Sequence, residues 1–356
     1  MHNSLISASP VTSDVTEVSK TASSGRLIVY TDTFLGDRDI AKTAYGLLRF
    51  CPNRIRAIWD SKHAGSNVRD ICSEFPAVDV PIVGSIDEAP DADCVVIGFA
   101  PIGGRLSDTQ RKLLVDGPLA RNLTVLNGLH EFLPPPSVNL RDPSSLPKLI
   151  AQNARFHSTR ILTVGTSHTI GKMTSTISLA TALVASGVSA EWIPTGQTGK
   201  LIAGWGEVID SVPIDFVPGT IERLILDAEL AHKVVVIEGQ GSLFHPSYSP
   251  TTLALIHTSR AQYFLLCHRV GQTHLWGFDT KMPTVERAIS VHVEMGRLLG
   301  FSTECLGIAL DSSRITDTEY RSYKSELEEH TGLAVCDPVK DGAGVLVEAL
   351  LHRGEV

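Results

Sequence analysis

The stretch Ile161-Leu-Thr-Val-Gly165-Thr-Ser-His-Thr-Ile-Gly171-Lys172-Met-Thr-Ser-Thr constrains the fold more than any other part of the 356-residue chain. An apolar run of strand type enters a glycine turn, passes a Gly-Lys step, and continues with helical patterning to Gly187. Strand, glycine loop and helix in that order form a phosphate loop, which belongs in a parallel α/β sheet. Gly165 and Gly171 permit backbone angles that turn successive amides toward one anion, and the helix N-terminus adds partial positive charge. Lys172 adds a full charge. Together with Thr166, Ser167, Ile170, Met173 and Thr174 these residues are the expected cradle for a phosphate-bearing ligand. Two features depart from the usual Gly-x4-Gly-Lys-Ser/Thr pattern. Five residues separate the glycines, and Met173 follows the lysine, so the hydroxyl that holds Mg²⁺ is missing or displaced to Thr174. Phosphate binding is therefore a stronger expectation than ATP hydrolysis. The plainer reading is a glycine turn beside a surface lysine.

The remaining chain supports an α/β fold of two domains. Short apolar runs at 26–31, 54–60, 94–99 and 123–127 alternate with helical patterning at 41–50 and 107–117, as in a parallel sheet covered on both faces. A proline-rich stretch, 134–147, is expected to be a linker. A helix over 148–157 would then lead into a second sheet, with strands at 160–164, 190–194, 233–237, 262–267, 306–310 and 333–336. This places one parallel-sheet domain at 26–140 and a phosphate-loop domain at 141–356. Residues 1–25 hold seven Ser and three Thr and read as a disordered leader, with no charged and apolar signal pattern.

Composition removes several classes. Lys+Arg 31 against Asp+Glu 39 leaves a formal charge of −8, without the basic footprint of a nucleic-acid or anionic-lipid binder. No apolar stretch is long enough to span a membrane. The six cysteines are scattered and lie mostly in apolar runs, which reads as reduced, buried thiols in a cytoplasmic protein. The expected partners are small molecules and further copies of the chain, a homo-oligomer, rather than nucleic acid or membrane.

Ligands of parallel sheets gather beyond the carboxyl ends of the strands, and two more loops fall there. Trp192-Ile-Pro-Thr-Gly-Gln197-Thr198-Gly-Lys200 offers an amide, a hydroxyl and backbone N–H groups. Val234-Val-Val-Ile-Glu238-Gly-Gln240-Gly-Ser242-Leu-Phe-His245-Pro runs straight off an apolar strand. Glu238 is placed to hold a metal, a lysine or a substrate amine, its plainer role being a cap or salt bridge. His245 is a candidate general base, its plainer role a hydrogen-bonded loop residue.

Gly-Lys-Met-Thr, Thr-Gly-Gln-Thr-Gly-x-Leu-Ile-Ala-Gly-Trp-Gly (195–206) and Ile-Glu-Gly-Gln-Gly-Ser-Leu-Phe-His-Pro (237–246) together resemble the D-glutamate N-acetyltransferase family. The glycine spacing is also similar to that of dethiobiotin synthetases. Lys42-Thr-Ala-Tyr-Gly, Asp60-Ser-Lys-His-Ala-Gly, Ala-Pro-Ile-Gly-Gly-Arg105, Asn-Gly-Leu-His-Glu-Phe132 and Asp337-Pro338 extend the resemblance over about residues 26–350. It implies a Rossmann-like domain followed by a phosphate-loop domain, and acetyl transfer from acetyl-CoA to the amino group of a small acidic amino acid. Such a transfer needs a base for the amine and donors for the oxyanion, for which Glu238, Gln240, Ser242 and His245 are the candidates. Lys42, His63, Arg105, His130, Gln197 and Thr198 are the candidate substrate contacts. The loop departs from the family at Ser167-His168, where Asp-Cys is usual, so the charge that organises metal in the synthetases is absent. The alternative is an ATP- and Mg²⁺-dependent ligase that activates a carboxylate.

Overall fold

The computed structural model describes residues 24–101, 103–142 and 148–354. Its chain divides into two units, Met1–Arg141 with Lys200–Trp205, and Asp142–Gly199 with Gly206–Val356. Each is built on a six-stranded sheet whose paired strands all run parallel.

The first unit runs β1 (Leu27–Asp32), α1 (Lys42–Phe50), β2 (Ile55–Asp60), α2 (Val68–Ile71), β3 (Ile82–Val83), β4 (Cys94–Ile97), α3 (Asp108–Ala120), β5 (Thr124–Asn127) and β6 (Ser137–Asn139). The sheet order is β3-β2-β1-β4-β5-β6, so β1 lies inside and the loops after β2, β1 and β4 are neighbours at one edge. Ile28, Tyr30, Trp59, Val95, Ile97, Phe99, Leu114 and Val125 form its core. Tyr30 is set between Trp59 and Phe99, with ring centroids 4.5 and 5.7 Å away, and such tilted ring packing adds to area burial.

The second unit runs β7 (Thr159–Gly165), α4 (Lys172–Ala185), β8 (Ala190–Ile193), the start of α5 (Gln197–Ala203), whose residues from Lys200 on group with the first unit, α6 (Val217–Glu229), β9 (Val234–Ile237), α7 (Ser249–Ser259), β10 (Tyr263–Arg269), α8 (Val285–Leu298), β11 (Glu304–Asp311), α9 (Asp317–Thr331), β12 (Ala334–Cys336) and α10 (Gly344–Leu351). Its order is β12-β11-β10-β7-β9-β8. Period-2 alternation splits the strands between two layers. Ile161, Val234, Val236, Leu265 and Cys267 face Leu179 and Leu183 of α4 and Leu346 and Leu350 of α10. Leu162, Val164 and Phe264 line the other side with Ile256 of α7 and His292 of α8. Burial on both faces is why β9 reads Val-Val-Val-Ile without a polar residue.

Two expectations meet the structure differently. Residues 148–157 form no helix. Asn153 has φ +53°, and carboxylates of α6 take the backbone hydrogens that a helix would use. Gln152 and Ala154 N–H donate to Glu222 at 2.6 and 3.1 Å, and His157 and Ser158 N–H to Glu229 at 2.9 and 3.1 Å. The expected linker is not wholly a linker either. Its residues 137–139 form β6 against β5, secured by Asn139, whose Oδ1 accepts from Asn127 Nδ2 and Leu133 N. Its residues 143–147 lie outside those described, as does the expected leader apart from Ser24 and Gly25.

Candidate functional site

The phosphate loop leaves the carboxyl end of β7, flanked in the sheet by β9 and β10. A side chain at Gly165 would sit 2.7 Å from Ile170 Cδ1, so the glycine lets the loop fold over its own buried Ile170. Thr169 and Gly171 take φ values of +57° and +95°. Gly171 is the N-cap of α4, whose first amides have no intrahelical acceptor and are available to an anion. Lys172 is buried, and its Nζ donates to Ser167 O at 3.0 Å. Thr166 and Ser167 are fully buried. Thr166 Oγ1 pairs with His268 Nδ1 at 3.0 Å, and Tyr323 O–H meets the opposite ring nitrogen at 3.2 Å. Burial lowers the His268 pKa to about 4, so the ring is neutral. Met173 and Thr174 are half-buried in the first turn of α4. The hydroxyls of Ser175 and Thr176 turn back onto Gly171 O and Lys172 O.

The loops after β8 and β9 meet beside this cradle. Glu238 is wholly buried, and its Oε2 accepts from Thr195 N at 2.9 Å and Gly196 N at 3.3 Å. Gln240 Nε2 donates to Glu238 Oε1 at 3.1 Å and to Thr195 Oγ1 at 3.0 Å. Burial pushes the Glu238 carboxyl up to about 7, against the pull of these donors and of Lys172. The glycines are steric requirements here. A Cβ at Gly199 would lie 2.6 Å from Glu238 Oε2, and one at Gly239 only 1.7 Å from Thr163 O. Gln197 and Thr198 open α5 and are buried. Ser242 Oγ donates to Gly165 O at 2.8 Å, tying the β9 loop to the phosphate loop.

His245 is 1 % exposed. Its Nε2–H donates to Trp276 O at 2.9 Å and its Nδ1 accepts from Ser247 N at 3.3 Å, so both ring nitrogens are engaged. The ring stacks on Tyr248 at 4.6 Å, which also lies 4.5 Å from His168. Trp276 belongs to the loop after β10, which is fastened to the cradle where Ser167 Oγ accepts from Trp276 N at 3.3 Å and Gln272 Nε2 at 3.4 Å. Sequence reasoning passed over this loop, along with Thr195, Tyr248 and His268. The signal for it was there, since Arg269-Val-Gly-Gln follows a strand of the same sheet and carries a glycine turn.

Thus Gly165 to Thr174, Gln197, Thr198, Glu238, Gln240, Ser242 and His245 all lie at the strand ends of the second sheet. The other four candidates belong to the first unit. Lys42 opens α1 and is half-buried. Arg105 is exposed after β4, and His130 is exposed after β5, where a Cβ at Gly104 would come within 2.9 Å of its ring. His63 follows β2 and bonds to Asp60.

A Rossmann-like unit joined to one with a phosphate loop on its central strands defines a two-domain α/β class. The chain belongs to a family within it: residues 61–142 match the DUF1611 Rossmann-like domain and 149–347 the DUF1611 P-loop domain, both described as domains of unknown function. A relative from Tritonibacter scottomollicae named D-glutamate N-acetyltransferase is 34% identical over 277 residues, 74% of this chain and 82% of its own length. One of the same name from Pseudoalteromonas is 30% identical over 273 residues, 73% and 81% of the two chains. The crystal structure of a DUF1611 family protein from Anabaena variabilis is similar with a TM-score of 0.83 and 29% identity, covering 92% of this chain and 99% of that one.

Proposed function

We propose that the chain transfers the acetyl group of acetyl-CoA to the amino group of a small acidic amino acid, D-glutamate first among them. The observation that carries this reading is the name shared by two relatives over about three quarters of the chain. The cradle supports it. Loop amides, the α4 N-terminus and Lys172 suit the phosphates of coenzyme A, which are held and not cleaved in such a reaction. The donor set disfavours phosphoryl transfer, because the position after Lys172 offers a methionine sulfur, a poor ligand for Mg²⁺. The hydroxyls of Ser175 and Thr176 turn to the helix backbone.

In this reading Glu238, Gln240, Ser242 and His245 position the loops around the cradle, since their side chains are committed to one another and to backbone groups. Arg105 and Lys42 pair the carboxylates of the acceptor, Arg105 with the fork that suits a bidentate contact. Incubation with acetyl-CoA and D-glutamate is expected to release free thiol, with other amino acids in parallel. Absence of thiol with every amine, together with Mg²⁺-dependent ADP formation from ATP and an acid, would overturn it in favour of a ligase.

A further inference from the structure

Acetyl transfer requires the acceptor's ammonium group to lose a proton before its nitrogen can attack. In the second unit Glu238 is buried under three donors, and both nitrogens of His245 are engaged. The loop after β2 carries a different arrangement. Asp60 closes that strand with its side chain fully buried. Its Oδ2 accepts from Thr31 Oγ1 at 2.9 Å and Leu35 N at 3.0 Å. Its Oδ1 accepts from Lys62 N and His63 N, both at 3.1 Å, and from His63 Nδ1 at 2.8 Å. Five donors, one on β1 and four in the loops after β1 and β2, hold the carboxylate in place. A carboxylate only accepts, so the His63 Nδ1 carries the hydrogen and the lone pair lies on Nε2. Among the described residues no group donates to that nitrogen, and the His63 side chain is 14 % exposed. A Cβ at the neighbouring Gly36 would come into van der Waals contact with Cε1 and Nε2, 3.8 Å from each, so the glycine keeps a side chain off that side of the ring.

We propose that His63, oriented by Asp60, accepts the proton of the acceptor's ammonium group. This rests on the transfer reaction proposed above, and it turns His63 from a substrate contact into the base. The ammonium N–H bond breaks and its proton passes to Nε2, giving an imidazolium beside the Asp60 carboxylate. The freed lone pair forms the C–N bond to the acetyl carbonyl, the C–S bond breaks, the second proton that the nitrogen must shed passes to the departing thiolate of coenzyme A, and the imidazolium then returns its proton to water.

The test compares wild type with His63→Gln, which keeps the size of the side chain, and with His63→Ala. General base catalysis contributes about 10²–10⁴-fold, so His63→Gln is expected to lower kcat by about 100-fold or more. The KM for acetyl-CoA and the melting temperature should stay unchanged. Added imidazole should restore part of the rate to His63→Ala. A His63→Gln enzyme with wild-type kcat, or a lost rate that imidazole does not restore, would overturn the proposal. Calorimetry with D-glutamate alone separates the two ideas. Binding that weakens on His63→Gln, with no thiol release by wild type, keeps the site and sinks the transfer reading. Thiol release that is indifferent to His63 does the reverse.

Discussion

Lys172 and Glu238 show how a single side chain is conditioned by its surroundings. Lys172 rests on Ser167 O, a carbonyl of its own loop, so its charge lies at the cradle before any ligand arrives. A hydrogen bond to a charged group contributes roughly 1.5–3 kcal/mol, and Lys172→Ala is therefore expected to weaken acetyl-CoA binding by about 10- to 100-fold in calorimetry, with the thermal midpoint of the free protein little changed. Glu238 illustrates the opposing pulls on a buried carboxyl. Its folded pKa, about 7, is above the ordinary 4.5, so between those values the folded state keeps a proton that the unfolded state has released. The associated stability is full below pH 4.5 and is lost as pH rises to about 7, a change of at most about 3 kcal/mol. Denaturant titrations across pH 4–8 should show that fall in wild type, and Glu238→Gln should flatten it. An identical slope in both would show that the carboxyl is ionised throughout.

Between elements, the informative contact is the strip 148–158 along α6. A helix is expected over 148–157, yet Glu222 and Glu229 collect its amide hydrogens. No local pattern in 148–157 encodes this, because the acceptors lie about 70 residues further along the chain. Glu222→Ala should strand Gln152 and Ala154 N–H and cost about 2 kcal/mol, seen as a lower urea midpoint and faster hydrogen exchange at those two amides. The short β6 was hidden for a similar reason. Three prolines precede it, and its security comes from the Asn139 side chain bonding to Asn127 and Leu133. The long strands of both sheets were legible, since strands buried on two faces announce themselves as continuous apolar runs.

Over the whole molecule, five of six cysteines are buried. Burial holds the Cys267 thiol up to about 11, which keeps that thiol protonated and poorly nucleophilic. No helix among the described residues is long and apolar enough to cross a membrane. Acetyl-CoA at 100 times its dissociation constant should stabilise the protein by about 2.7 kcal/mol, a rise in thermal midpoint that the weaker binding of Lys172→Ala should cut to about 0.4–1.4 kcal/mol at the same ligand concentration. An ATP–Mg²⁺ shift in place of the acetyl-CoA shift would transfer the cradle to the ligase reading. Local spacing determined the α/β class, the strand–loop–helix of the cradle and the residue types around it, because each is written within a few consecutive positions. The partners of those residues were settled by the fold. Parallel strands bring loops 43 to 109 residues apart to one edge, and there Glu238 meets Thr195, Ser242 meets Gly165, and Ser167 receives the Trp276 amide. The same holds for Asp60, which only folding joins to Thr31 and Leu35. Hydrogen-bond geometry across strands, absent from linear spacing, separates a nitrogen that is used from one that is open.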